Sequence, residues 1–205
     1  SMQHLWGDTI GGVTQFIKDF HENAPHAKLT LVHFNTTVGK SYSGQVMSTI
    51  NVGFVTEQMP RPEGGTALWR AVCQAIDDAG NRFAAYPQET RDRLRVTVAI
   101  VTDGEENSSG PEYSWESVRS RIERQESQYG WAFTYLGANQ DAIATAAKMG
   151  IVGARAANYA ATGQGVGQVF GKMSEKAVLR ACATNAADAV GALNYTSADR
   201  SDLMA

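Results

Sequence analysis

Residues 95–102 read Arg-Val-Thr-Val-Ala-Ile-Val-Thr, an almost unbroken apolar run that is followed at once by Asp103-Gly104. Such a run suits a strand of a parallel sheet that helices cover on both faces, because both sides of the strand are then buried. We therefore predict that it is a central strand. In open sheets of this kind, ligands bind beyond the carboxyl ends of the strands. The polar residues that follow this strand are the first place to look for a site.

The sequence on either side alternates between helical and extended patterns. Apolar residues spaced three and four apart predict helices over residues 8–22, about 66–83, 115–129, 141–149 and 165–182. Runs rich in strand-forming residues predict a hairpin over 28–35 and 38–50, and further strands over 131–136 and 155–160. The alternation predicts an α/β fold, with a doubly wound, mainly parallel sheet and helices on both faces. We expect one domain over residues 1–195 and a frayed tail over 196–205.

Composition excludes several classes of protein. The 205 residues are 43% hydrophobic, enough for a core, and 18 Lys and Arg against 21 Asp and Glu give a net charge of -3. Without a positive field, nucleic acid is not an expected partner. No apolar run is long enough to cross a membrane, and no signal peptide is visible. The two cysteines, Cys73 and Cys182, form no disulfide or zinc motif, so we expect a reducing, cytoplasmic location.

Two loops carry the candidate chemistry. The first is Asp103-Gly104-Glu105-Glu106-Asn107, and the second is Gly64-Gly65-Thr66-Ala67-Leu68. Each also has a structural interpretation, since Asp is common in turns and Thr at the N-cap of a helix. Glu105 and Glu106 are predicted to be solvated. No nucleophile motif is visible, so we do not expect an enzyme. Gly163, Gly165 and Gly167 lack the full dinucleotide-binding pattern, and we predict that they form a flexible connection.

The two loops together resemble the von Willebrand factor A domain family, in particular its bacterial stand-alone members. Gly64-Gly65-Thr66-Ala67-Leu68 and Ile100-Val101-Thr102-Asp103-Gly104 are similar to that family's second and third metal-site loops. The resemblance places Thr66 and Asp103 on the family's threonine and last aspartate. It also implies a preceding strand that ends in Asp-x-Ser-Gly-Ser-Met, of which only Ser1-Met2 matches. Ser1-Met2 is then the remainder of that motif, or alternatively a cloning scar.

The resemblance implies a site with the metal ligands Ser1, Thr66 and Asp103, and a first central strand missing from this chain. Oxygen ligands suit Mg²⁺, or Ca²⁺ and Mn²⁺, and a single carboxylate predicts weak binding. The implied function is metal-dependent protein binding, in which the cation bridges to an acidic side chain of a partner protein. A structural module with an incomplete, non-functional metal site is the main alternative, and a metal-dependent hydrolase is a further one. The missing strand would leave unpaired edges on its two neighbours.

Overall fold

The structure is a computed structural model that describes residues 2–138 and 141–205. Its strands are β1 (Lys28–Phe34), β2 (Val38–Val46), β3 (Thr97–Thr102), β4 (Ala132–Gly137) and β5 (Ala156–Asn158). Its α-helices are α1 (Trp6–Asn23), α2 (Val55–Gln58), α3 (Leu68–Ala84), α4 (Gln88–Asp92), α5 (Trp115–Tyr129), α6 (Ala142–Lys148), α7 (Gly163–Cys182), α8 (Ala186–Gly191) and α9 (Ser197–Met204). Short 3-10 helices cover Met2–Leu5, Met47–Thr49, Val52–Phe54 and Gly153–Arg155.

The prediction of one doubly wound, mainly parallel sheet is wrong. The strands form two separate sheets, an antiparallel pair β1-β2 and a parallel sheet in the order β3-β4-β5, and 56% of the structure is helical. The hairpin closes locally: the Asn35 side-chain oxygen accepts a hydrogen bond from the Thr37 amide at 2.7 Å. Among the described residues no hydrogen-bonded strand pairing joins β1 to β3, so the β1-β2 sheet ends at β1 and the β3-β4-β5 sheet ends at β3.

The predicted central strand is also at the edge of its own sheet. β4 lies between β3 and β5, in parallel register with both, and all six of its residues are buried. In β3, by contrast, Ala99 is exposed and Val98 and Val101 are only half-buried. An apolar run predicts a strand that can be buried on both faces, but its position in the sheet depends on partners elsewhere in the chain.

The core consists of two apolar clusters. One contains the inner faces of α1 and α7, with Ile17 and Val169 fully buried, and Leu31 of β1 and Val101 of β3 pack against it. The other is centred on α3 and α5, and Phe34 of β1 and Val98 of β3 pack against that one. Strands β1 and β3 therefore contact the same two groups of helices, although they do not pair.

Most of the predicted helices are confirmed, and the helix over 115–129 has the predicted bounds. Its start is fixed by a capping box between Ser114 and Ser117, and it ends at Gly130, whose φ of 63° is in the left-handed region. Gly163, Gly165 and Gly167 lie inside α7 and not in a flexible connection, because Thr162 caps that helix through the Gly165 amide. Within the described residues, no helix is long and apolar enough to span a membrane.

Residues 196–205, predicted as a frayed tail, instead form a docked helix. A capping box between Thr196 and Asp199 starts α9, and Leu203 is completely buried. The carboxylate of Asp199 accepts a hydrogen bond from the ammonium group of Lys176 on α7 at 2.8 Å, and both groups are largely buried. These contacts lower the pKa of Asp199 despite the opposing effect of its burial. The cap, the ion pair and the buried leucine hold the C-terminus to the core.

Candidate functional site

Asp103 directly follows β3, at the carboxyl edge of the parallel sheet, and only 8% of the residue is exposed. Its Oδ2 atom is buried and has no hydrogen-bond partner among the described residues, 2–138 and 141–205. An unpaired carboxylate oxygen in a protein interior is costly, because it has lost its water and gained nothing in exchange. Such an atom is a candidate ligand for a cation or for a donor group on a partner.

Tyr159 is a second unpaired polar group at the same edge of the sheet. It directly follows β5, is 2% exposed, and its hydroxyl has no hydrogen-bond partner in the part of the chain that the structure describes. Burial raises the pKa of this phenol above its usual value, and the nearby Asp103 carboxylate raises it further. Sequence reasoning did not select Tyr159, because the strand predicted over 155–160 contains it, whereas β5 ends at Asn158 and leaves Tyr159 at the strand end.

Thr66 lies in the loop before α3 and is tied to the loop that follows Asp103. Its amide donates to the Asn107 side-chain oxygen at 2.8 Å, and its carbonyl oxygen accepts from the Asn107 amide at 3.0 Å. The helix begins at Leu68, two residues later than predicted, and its N-cap is Ala67, without a side-chain cap. Thr66 therefore does not act as the N-cap that its position suggested.

The two loops approach each other closely at Gly65. A Cβ atom there would lie 2.1 Å from the Ser108 hydroxyl oxygen and 2.6 Å from the Asn107 side-chain oxygen. Real Cβ atoms do not approach other atoms so closely, so a larger residue would force the Ser108 and Asn107 side chains to shift. The glycine pair in the motif thus brings the backbone of Thr66 next to the loop after β3.

The sequence predicted that Glu106 is solvated. In the structure its side chain instead joins the two loops. Its Oε2 atom accepts hydrogen bonds from the Trp69 amide at 2.8 Å and the Ser109 hydroxyl at 2.5 Å. Its Oε1 atom accepts from the amides of Ser108 and Ser109, both at 2.8 Å. Burial of this carboxyl opposes its ionisation, but the four hydrogen bonds outweigh that effect and lower its pKa. The spacing of the acidic residues gave no sign of this role.

Arg70 adds a second connection between α3 and the same loop. Its guanidinium donates two hydrogen bonds to the Ser109 carbonyl oxygen, at 3.0 and 2.7 Å, and its amide donates to the Ser109 hydroxyl at 3.0 Å. The start of α3 and the loop after β3 are therefore held as one unit. Thr66 and Asp103 are carried on this unit.

The structure places Thr66 and Asp103 on the lining of one large groove, and Ser1 lies outside the described residues. A carboxylate and a hydroxyl are hard oxygen donors, the kind that Mg²⁺ and Ca²⁺ prefer, so the residues present fit such an ion. Across residues 2–138 and 141–205, no three His, Cys, Asp or Glu side chains converge into a group that could hold a metal. Of the two predicted ligands that the structure describes, Asp103 is the one that offers a carboxylate.

Comparison with known proteins finds a likeness of fold. No family model and no curated protein matches the sequence. Among solved structures, the chain is similar to proximal thread matrix protein 1 from the mussel byssus, with a TM-score of 0.59 and 13% sequence identity. The match covers 84% of this chain and 42% of that chain, so this chain spans less than half the length of the structure it matches. At that identity the likeness concerns the fold alone, and the resemblance to the von Willebrand factor A family stays a prediction.

Proposed function

We propose that this chain is a non-catalytic protein-binding module of the von Willebrand factor A type, in which a divalent cation links it to an acidic side chain of a partner protein. The observation that carries the proposal is the buried, unpaired Oδ2 atom of Asp103 on the lining of the groove. Asp103 and the hydroxyl of Thr66 would hold the ion. The ion, Mg²⁺ or alternatively Ca²⁺ or Mn²⁺, would supply a positive charge with open coordination positions for the partner's carboxylate.

A single described carboxylate sets the expected strength of the site. Weak divalent-cation sites in proteins have dissociation constants of about 0.1–1 mM, and affinity rises with the number of charged ligands. We therefore expect the isolated chain to bind Mg²⁺ no more tightly than this, with the partner's acidic group completing the site. Saturable binding at micromolar Mg²⁺ in a calorimetric titration would contradict that expectation.

The proposal is tested by comparing partner capture by the chain and by its Asp103→Asn variant, from an extract of the native host. The substitution keeps the shape of the side chain and removes its charge. We expect the wild-type chain to retain specific partners in 5 mM Mg²⁺, a concentration at least about fivefold above the expected dissociation constant. EDTA or the substitution should release them. Glu105→Gln is the matched control, because Glu105 is an exposed acid on the same loop.

Partners that stay bound in EDTA and on Asp103→Asn would overturn the role of the cation. That result would favour the second candidate, a structural module with an incomplete metal site, which the single described carboxylate also fits. Equal loss of partners with Glu105→Gln would show a general effect of charge on this loop. In that case Asp103 would have no special role.

We also infer that the module acts in the cytoplasm. Both cysteines are free thiols, and Cys182 is exposed. An exposed free thiol persists in a reducing compartment and tends to be oxidised outside one. Fusion of the chain to a fluorescent protein in its host tests the location directly, and fluorescence confined to the cell envelope would contradict it.

A further inference from the structure

One further row of residues follows the last paired row of the parallel sheet, at its carboxyl edge. Thr102, Gly137 and Asn158 are in register on β3, β4 and β5. The pairing continues beyond them, because the Ala138 amide donates a hydrogen bond to the Thr102 carbonyl oxygen at 3.0 Å. The Tyr159 amide likewise donates to the Gly137 carbonyl oxygen at 3.1 Å. The next row across the sheet therefore consists of these residues: Asp103, Ala138 and Tyr159.

The side chains of that row lie on the face of the sheet that α1 and α7 cover. Ala138 and Tyr159 are both buried in the apolar cluster of those two helices. Val101 packs against the same cluster, and Asp103 follows it by two residues. Since side chains alternate between the two faces of a strand, residues two apart share a face. Asp103 and Tyr159 thus point to the same side.

The middle residue of the row is small. Neighbouring strands lie roughly 4.8 Å apart, so about 10 Å separates the backbones of Asp103 and Tyr159, two strands from each other. Ala138 is completely buried, and its single methyl group separates the two side chains within the row. A phenol is long enough to cross most of that distance. Tyr159 is therefore placed to extend over Ala138 toward the Asp103 carboxylate.

The two groups also interact through their charges. Burial has the largest effect on the pKa of Tyr159, and the charge of Asp103 raises that pKa further. A coulombic interaction weakens with distance, so this second effect requires the carboxylate to lie near the phenol oxygen. The electrostatics agree with the placement of both side chains in one row.

The two unpaired atoms are chemically complementary. An ionised carboxylate accepts hydrogen bonds and donates none, whereas a tyrosine hydroxyl can donate one. Within residues 2–138 and 141–205, Oδ2 of Asp103 and the hydroxyl of Tyr159 are both buried without a partner. Burial without a hydrogen bond is costly for each of them. A hydrogen bond from the hydroxyl to Oδ2 would satisfy both atoms at once, and a change of side-chain torsion angles would form it.

We propose that Tyr159 regulates the cation affinity of this site, because its hydroxyl donates a hydrogen bond to Oδ2 of Asp103 in the ion-free chain and has to release that oxygen for a cation. The inference rests on the proposed function, since it concerns the same carboxylate. Tyr159 is then a positioning residue that competes with the ion, and not a ligand of it. The hydrogen bond stabilises the ion-free chain and weakens cation binding.

The first test is a double-mutant cycle in EDTA, with Tyr159→Phe, Asp103→Ala and both together, each measured by urea denaturation. Alanine is chosen because an asparagine oxygen could still accept the bond. Loss of a hydrogen bond to a charged group lowers the folding equilibrium constant about ten- to hundredfold. We expect Tyr159→Phe to have this effect in the wild-type chain and to cause no decrease in the Asp103→Ala chain. Removal of an unpaired hydroxyl would instead leave stability unchanged or raise it.

The second test is calorimetric titration with MgCl₂. Tyr159→Phe should bind Mg²⁺ about tenfold more tightly than the wild type, because the competing hydrogen bond is gone. A less stable chain that binds the ion more tightly is not the result of a purely structural role.

Tyr195→Phe is the matched control for both tests. Tyr195 is also buried, and its hydroxyl is hydrogen-bonded to Thr134, which is in register with Ala99, four residues before Asp103. The substitution should lower stability equally in the wild-type and Asp103→Ala chains. It should leave the affinity for Mg²⁺ unchanged.

A measurement on the wild-type chain does not depend on the folding of any variant. Release of the Tyr159 hydroxyl should change the near-ultraviolet absorbance of tyrosine as Mg²⁺ is added, with the midpoint found by calorimetry. The change should be absent in Tyr159→Phe and present in Tyr195→Phe. A wild-type spectrum that stays constant while Mg²⁺ saturates the chain would overturn the proposal.

Additive effects of Tyr159→Phe and Asp103→Ala in EDTA would also overturn it, and Mg²⁺ binding by the wild type would then leave the proposed function standing. So would a Tyr159→Phe chain that binds Mg²⁺ as the wild type does, or more weakly, in which case the hydroxyl is itself a ligand. If neither chain binds Mg²⁺ up to about 10 mM, roughly tenfold above the weak limit of such sites, the proposed function fails and the regulation with it. A coupled cycle in EDTA would still show the hydrogen bond in that event.

Discussion

Replacing Glu106 with glutamine is expected to loosen the connection between the loops that carry Thr66 and Asp103. The amide keeps one oxygen, so the hydrogen bonds from the Ser108 and Ser109 amides can persist. Its NH₂ group replaces the oxygen that accepts from the Trp69 amide and the Ser109 hydroxyl. The Trp69 amide then faces another donor, and a charge-assisted bond to the hydroxyl is lost.

The size of the effect follows from those two bonds. A hydrogen bond to a charged group contributes about 1.5–3 kcal/mol, and the half-buried position of Glu106 favours the lower value. Loss of both therefore lowers the free energy of unfolding by about 3 kcal/mol. For a chain of this length, that corresponds to a decrease in Tm of roughly 6–12 °C.

The pH dependence supplies an independent check. The pKa of Glu106 is lower in the folded chain than in the unfolded chain, where a glutamate titrates near about 4.3. Its charge therefore stabilises the fold fully above that pH, and the contribution is lost as the pH falls through the lower folded-state pKa. The difference between wild type and Glu106→Gln should be full at pH 7 and should shrink as the pH falls below about 4.3, because the carboxyl then becomes protonated, first in the unfolded chain.

Urea denaturation followed by circular dichroism at pH 7 and pH 3 measures this difference. Glu105→Gln is the matched control, since Glu105 is exposed on the same loop, and it should change stability by less than about 0.5 kcal/mol. A Glu106→Gln chain as stable as the wild type at pH 7 would refute the reasoning. So would a difference that is unchanged at pH 3.

Two further predictions concern α7 and the thiols. Gly165→Ala should destabilise the chain by about 1–3 kcal/mol, because its Cβ would lie 2.0 Å from the Ala160 carbonyl oxygen. Gly167→Ala, in the same helix with open space around it, should stabilise the chain by about 0.5–1 kcal/mol. Urea denaturation measures the stability change of each variant, and two changes in the same direction would contradict these predictions. With a colorimetric disulfide reagent, Cys182 should react rapidly, whereas Cys73 should react only on unfolding, because it is fully buried and burial raises its pKa. Two fast thiols per native chain would contradict that expectation.

The local elements were predictable because their signals are local. The helix over 115–129 follows from apolar spacing and from capping residues within a few positions of its ends. The short helix α9 was missed because its apolar pattern is weak: its burial depends on Leu203 meeting the core, and its anchoring depends on Lys176 of another helix. An isolated segment of eight residues carries little information about such distant contacts.

The candidate site was predictable only in part. Asp103 follows β3, where the rule for strand ends directs attention, and Gly64-Gly65 marks the loop that approaches it. The role of Glu106 was not predictable, because its hydrogen bond to Trp69 joins residues 37 positions apart. In the sequence alone, Glu106 is one of two adjacent acids, and nothing distinguishes it from its exposed neighbour.

The sequence by itself determined the longer helices and the positions of the strands, and that a carboxylate follows the apolar run over 95–102, since periodicity and turn residues act over a few positions. Only the tertiary structure decided how the strands pair. It placed β3 at an edge and not in the centre, and left the edges of β1 and β3 facing one groove. Pairing depends on which segments meet across long stretches of chain, and β1 found its partner in the hairpin beside it.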